Sequence, residues 1–185
     1  MLKLYRRVLD KHPYVTQAIQ TGILMGAGDV IAQVGVEKKT AETFDVRRTL
    51  CFTGIGIFYL GPSLRLWYGT LERLFGSARH PKVAFKKVAT DQLVFAPTFL
   101  ASILTLVPLT NGHSWQKAKA KLGADYWTVL KANYQLWPWV QIANFYWVPL
   151  RHQVLVVQLV ALFWNVYVSW RANAPLPSTT DETPR

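Results

Sequence analysis

The sequence predicts an all-α fold, a polytopic transmembrane helix bundle of four to five membrane-embedded helices, some kinked and striped with polar residues. Three observations carry that expectation. Charged residues are 17% of the 185, below the usual quarter, and they cluster between apolar stretches rather than mixing with them. Residues 49–64 and 153–170 contain no charge at all, whereas a water-facing helix of that length carries a charged face. Period-2 alternation is absent over any useful length, which argues against a membrane β-barrel.

The elements follow in order. Residues 1–13 set Lys3, Arg6, Arg7 and Lys11 among Leu2, Leu4, Val8 and Leu9, a basic amphipathic segment that suits a membrane surface. Asp10 and the lack of Ser count against a cleaved targeting peptide. Residues 14–170 form the expected bundle. A span needs about 20 mostly apolar residues, because about 1.5 Å of rise per residue must cross about 30 Å of hydrocarbon. Five stretches approach that length: 14–36, 49–68, 88–109, 127–150 and 154–170. The second and fifth read as ordinary spans. The other three carry Asp29 and Gln33, Asp91 and Gln92, and a run of amides. Connections are expected at 37–48, 71–87 and 111–121. All three contain basic residues, so the positive-inside rule sets no orientation. Residues 171–185, rich in Pro, Thr and acidic side chains, are expected to be a disordered tail.

Net charge is +11, from 21 Lys and Arg against 10 Asp and Glu. No run of five basic residues occurs, and the cations fall between apolar segments. That distribution suits a lipid bilayer, and direct nucleic-acid binding is not expected. Cys51 is the single cysteine, so neither an intramolecular disulfide nor a cysteine-based metal site can form.

Within the apolar segments, a few residues demand an explanation. Gly22 and Gly26 have GxxxG spacing, and Asp29 and Gln33 fall on the same helical face. Small residues allow close helix approach, within the chain or in a homo-oligomer. A mid-membrane carboxylate costs about 2.5–3.5 kcal/mol on insertion scales, so Asp29 needs a cationic partner or water. Both readings stand at this level, structural pairing and the lining of a solute path. Asp91 follows Lys87 by four residues, the spacing of a local ion pair; with Gln92 it is also a candidate for the mouth of a pore. Asn133, Trp137, Gln141 and Asn144 form one stripe if the helix continues through Pro138. They can serve as hydrogen-bond glue between helices or line a wet path. Gly61, Pro62, Pro97, Pro138 and Pro149 are the expected packing or kink positions. His12, His80, His113 and His152 are far apart, and no nucleophile elbow or phosphate-binding loop occurs. An enzyme, a cofactor and a metal are therefore not expected.

The pattern Trp137-Pro138-x-x-Gln141-x-x-Asn144-Phe145-x-x-Val148-Pro149, followed by Trp164-Asn165-x-Tyr167-x-Ser169-Trp170, resembles a known family. Its namesakes are the twenty-two-kilodalton peroxisomal membrane protein and Mpv-seventeen. Met25-Gly26-x-Gly28-Asp29, Gly61-Pro62 before Trp67-Tyr68, and Asp91-Gln92 before Ala96-Pro97 extend the likeness over nearly the whole chain. His12-Pro13, residues 24–29 and residues 95–100 make it most similar to the mitochondrial branch. Arg65 stands where the family often has His, which leaves any mechanism titrating that position without its group. The resemblance implies a multi-pass protein of the mitochondrial inner membrane, with the peroxisomal membrane as the alternative. It also implies four spans, a non-selective channel activity and a role in nucleotide supply and mitochondrial DNA maintenance. Small solutes or ions, including anionic metabolites or nucleotides, are then the expected partners. The rival expectation is a non-transporting scaffold that organises partner proteins.

Overall fold

The computed structural model describes residues 13–76, 81–147 and 150–176, with side chains except at 13, 144–146 and 150–155. Every regular element among them is helical. In chain order they are α1 (Pro13–Ile31) with π1 (Ala32–Val36), α2 (Val46–Ile55), π2 (Gly56–Leu60), α3 (Gly61–Phe75), α4 (Pro81–Thr90), π3 (Asp91–Phe95), α5 (Ala96–Thr110), α6 (Trp115–Trp147) and α7 (Leu150–Asn173). The π turns continue their helices, so the elements join into five rods: α1–π1, α2–π2–α3, α4–π3–α5, α6 and α7.

The second and third rods repeat one design. Each has ten α-helical residues, five in a π turn and fifteen more α-helical residues. In each, a proline (Pro62, Pro97) sits two residues beyond the π turn. The physical reason is steric. In a regular α-helix each proline ring would meet the carbonyl four residues back and remove a bond. Widening the preceding turn, so that Gly61 donates to Gly56 and Ala96 to Asp91, absorbs the misfit without breaking the rod. The two rods run antiparallel, α2 beside α5 and α3 beside α4, as an inverted pair.

Packing around the molecule follows the chain: the first rod contacts the second, the second the third, the third the fourth, the fourth the fifth, and the fifth returns to the first. The result is a closed ring of five alternating rods. Glycines on α1 tighten one seam of it. A Cβ on Gly56 would lie 2.6 Å from the Cα of Gly22, and one on Gly61 would lie 2.6 Å from the Cα of Ala18, while Gly26 abuts Thr53. The GxxxG face is thus consumed inside the chain and is not an oligomer seam. The outward faces are apolar. Ile23, Phe58, Leu93, Trp127 and Phe163, one from each rod, are all more than 60% exposed. In water such a girdle would be a large aggregation surface; hydrocarbon satisfies it.

Several boundaries differ from expectation. The first turns of α6, from Trp115 to Lys121, belong to a helix and not to a connection, and α3 and α4 extend through most of 71–87. Hydropathy sees only the apolar part of a rod, whereas helices continue into polar surroundings where exposed Lys and Glu cost nothing. The tail begins later than residue 171, because α7 runs to Asn173 and Arg171 is engaged in an ion pair. Residues 1–12 and 177–185, and Pro149, lie outside the described residues. By length and apolarity alone, two rods among the described residues qualify as membrane spans, Tyr14–Val36 and Pro81–Thr110. Pro138 sits inside an unbroken α6.

Candidate functional site: a central cavity and its polar cluster

Among the rods lies a partly open cavity of about 210 Å³ to which all five contribute. Its walls are mostly apolar and aromatic. Phe95 stacks on Phe99 at 5.5 Å and on Trp67 at 5.3 Å, and Trp137 meets Trp164 edge-on at 6.3 Å. Into these walls is set one polar cluster. The Asp91 carboxylate accepts from Trp67 Nε1 at 2.8 Å through Oδ1 and from Gln92 Nε2 at 3.0 Å through Oδ2. Gln92 Oε1 accepts from Asn133 Nδ2 at 2.7 Å, and the Gln92 carbonyl accepts from the Tyr134 hydroxyl at 3.0 Å. One connected run of hydrogen bonds therefore ties the second, third and fourth rods together beside the cavity.

The placement depends on π3. Asp91 and Gln92 open that turn, and its extra width offsets the helix face by which they point inward. The expected Lys87–Asp91 pair does not form. Lys87 reaches across to Glu72 on α3 instead, and among the described residues no basic side chain pairs with Asp91. Its hydrogen-bond partners are all neutral donors. Asn133, Trp137 and Gln141 line the same cavity, as does Asn165. The side chain of Asn144 lies outside the described ones.

At one end the cavity is closed by apolar packing. Phe52, Leu104, Val107, Val129 and Ala172 are all buried there, in one cluster with cavity-lining Ile103 and Val168. Beyond this plug, Asp29 and Gln33 sit fully buried in a separate network. Asp29 Oδ1 accepts from Arg48 Nε at 2.8 Å and from the Ser169 hydroxyl, and Oδ2 accepts from Thr49 Oγ1 at 2.6 Å and Gln33 Nε2 at 2.9 Å. The Arg48 guanidinium in turn grips Glu37 with two bonds of 2.7 and 2.8 Å. Gln33 Oε1 accepts from the Asp45 backbone N–H at 2.8 Å and from Lys39 Nζ at 3.0 Å. The hub staples the first rod to the second and fifth. Its charges balance, Arg48 and Lys39 against Asp29 and Glu37, as burial requires.

The sequence-level candidates thus divide. Asp91, Gln92, Asn133, Trp137 and Gln141 converge on the cavity, while Asp29 and Gln33 belong to a dry hub. Arg48 and Ser169 hold Asp29 and Glu37 holds Arg48; none of the three is a sequence-level site candidate, and Ser169 figures there only in the family pattern. Arg48 and Glu37 sat in a stretch taken for a connection, and Ser169 is 140 residues from its partner.

A family model described as the Mpv17 / PMP22 family matches residues 108–169. Over 171 residues the chain is 43% identical to the mitochondrial inner membrane protein Mpv17 of Xenopus laevis, covering 92% of this chain and 96% of that protein. It is 43% identical to the Homo sapiens protein of the same name, covering 92% of this chain and 97% of that protein. The Drosophila melanogaster protein of that name is 38% identical over 162 residues, 87% of this chain and 96% of that protein. No solved structure matches the chain.

Proposed function

The chain belongs to the Mpv17 / PMP22 family and is a mitochondrial inner-membrane protein, and from that premise we propose that it is a weakly selective channel whose path runs through the centre of the ring. The observation that carries this reading is the central cavity, lined by all five rods and furnished with the Asp91–Gln92–Asn133 cluster. All five rods then cross the membrane, including the fourth with its run of amides, because its polar residues face other rods or the cavity rather than lipid. The described conformation is closed. Its apolar plug at Phe52, Leu104 and Val107 is the kind of constriction that stops ions by excluding water.

The cavity chemistry favours particular solutes. A lone carboxylate among neutral donors attracts cations, while basic loops gather anions only at the mouths. At about 210 Å³ the cavity is smaller than the roughly 300 Å³ at which drug-sized ligand sites begin. Small ions and metabolites fit it. The passage of nucleotides, and with it a direct role in deoxynucleotide supply, membrane-potential homeostasis and mitochondrial DNA maintenance, requires the ring to widen. No catalytic role is proposed.

Reconstitution into liposomes tests the reading. The protein should conduct, Asp91→Asn should lower the cation-to-anion permeability ratio, and Val107→Ser should raise open probability by wetting the plug. Folded protein whose liposomes remain electrically silent and solute-tight in both variants would sink the proposal. The second reading, a non-transporting scaffold, has one observation in its favour: Asp29 is directly paired and dry. It predicts those silent liposomes together with stably co-purifying proteins.

A further inference from the structure

The end of the ring beyond the plug carries a second cavity, of about 260 Å³, between the turn after α5, the first turns of α6 and the end of α7. Lys117 and Lys121 line it, with His113, Asn111 and Asn173, and among the described residues no carboxylate does. Lys117 and Lys121 are four residues apart on α6 and so share a face. Lys117 is exposed, with Nζ 3.4 Å from His113 Nδ1. Lys121 is buried to 4% exposure. Its ammonium donates to the Ala174 carbonyl at 2.5 Å and lies 2.7 Å from Asp125 Oδ2 as an ion pair, which leaves at least one of its three N–H groups for the cavity.

The charge around Lys121 does not balance. Among the described residues Asp125, 3% exposed, is the one carboxylate in contact with Lys121 and also with Arg171, whose Nη2 lies 2.7 Å from Oδ1. Arg171 Nε and Asp125 Oδ2 are both buried without a hydrogen-bond partner. One anion is thus shared between two cations, in contrast to the Asp29 hub, where acids and bases match. Close by, the exposed Arg47 guanidinium rests over the turn: a Cβ on Gly112 would lie 3.4 Å from Nη2. No acidic partner of Arg47 occurs among the described residues. With two cations on one carboxylate, Arg171 28% exposed, the recess carries net positive charge that an anion admitted through the cavity offsets.

We propose that this cavity binds a phosphate group, with Lys121 at its base, Lys117 and His113 at its wall and Arg47 at its approach. The group is carried either by an anionic lipid headgroup such as that of cardiolipin or by a free phosphate; basic recesses at helix ends suit both. The site lies outside the central cavity and stands whether or not the protein conducts.

The test is the unfolding midpoint of the full chain, at constant ionic strength set with chloride, against inorganic phosphate in detergent and against phosphatidylcholine vesicles with and without cardiolipin. The midpoint should rise saturably with inorganic phosphate or with cardiolipin, and which of the two raises it identifies the source. Lys117→Gln should weaken half-saturation by about fivefold, while Lys82→Gln, at the other end of the ring, should not. Asp125→Asn should start with a lower midpoint and recover more of it on adding the anion than the unaltered chain gains. A midpoint insensitive to both probes overturns the proposal. So does equal weakening by Lys82→Gln, or an Asp125→Asn chain that the anion does not rescue.

Discussion

Asp29 and Asp91 are both carboxylates inside apolar rods, and their surroundings give them opposite roles. Asp29 has a guanidinium and three neutral donors converging on its two oxygens, and it is fully buried. Removing it strands Arg48 in the interior with only Glu37 to answer it. Breaking a buried pair of this kind costs about 3–5 kcal/mol, so Asp29→Ala should lower unfolding stability by about that amount, as measured by thermal or denaturant unfolding in detergent. Conductance per folded molecule should be unchanged, because the side chain does not reach the cavity. Among the described residues Asp91 is held by Trp67 and Gln92. Its substitution by Asn keeps the shape and changes the charge of the cavity, which is why selectivity, and not stability, is the property it should alter.

At the scale of the element, the helical rods owe their form to where glycine and proline fall. The first and second rods approach until backbone meets backbone at Gly22 and Gly56. Gly56→Ala should therefore cost about 1–3 kcal/mol, the usual range for an overpacked interior. Two residues earlier, a Cβ on Gly54 meets nothing within 4 Å, so Gly54→Ala should raise stability by about 0.5–1 kcal/mol by removing glycine's backbone entropy. Unfolding of the two variants side by side checks both signs. The π turns are the complementary device. By absorbing Pro62 and Pro97 they keep two rods continuous, and π3 carries Asp91 and Gln92 to the cavity wall.

Across the whole molecule, alternation of five rods sends successive connections to opposite ends of the ring. Lys38 and Lys119 lie at the end that holds the Asp29 hub, and Lys82 lies at the other. All three are exposed. If all five rods cross the membrane, single cysteines at these positions in a Cys51→Ser background should label asymmetrically. A membrane-impermeant thiol reagent should reach Lys38→Cys and Lys119→Cys from one side and Lys82→Cys from the other. Labelling of Lys38→Cys and Lys119→Cys from opposite sides would require an odd number of crossings between them and rule out the ring as a five-span unit. The same alternation explains why no orientation follows from loop charge, since each end of the ring carries lysines.

The helical class and the approximate places of the five rods were legible in the sequence, because a run of apolar residues without charge has few stable forms in a membrane. The cavity stripe at Asn133, Trp137 and Gln141 was legible too, since four-residue spacing alone puts side chains on one face. Local spacing could not decide what Asp29 and Asp91 face. Asp29 is answered by Arg48 and Ser169, 19 and 140 residues away, and a GxxxG face serves an internal seam as readily as an external one. Lys87 is four residues from Asp91 but found a better partner in Glu72 on the antiparallel rod. Helix periodicity is a local property of the chain, whereas the pairing of buried charges depends on which rods the ring makes neighbours.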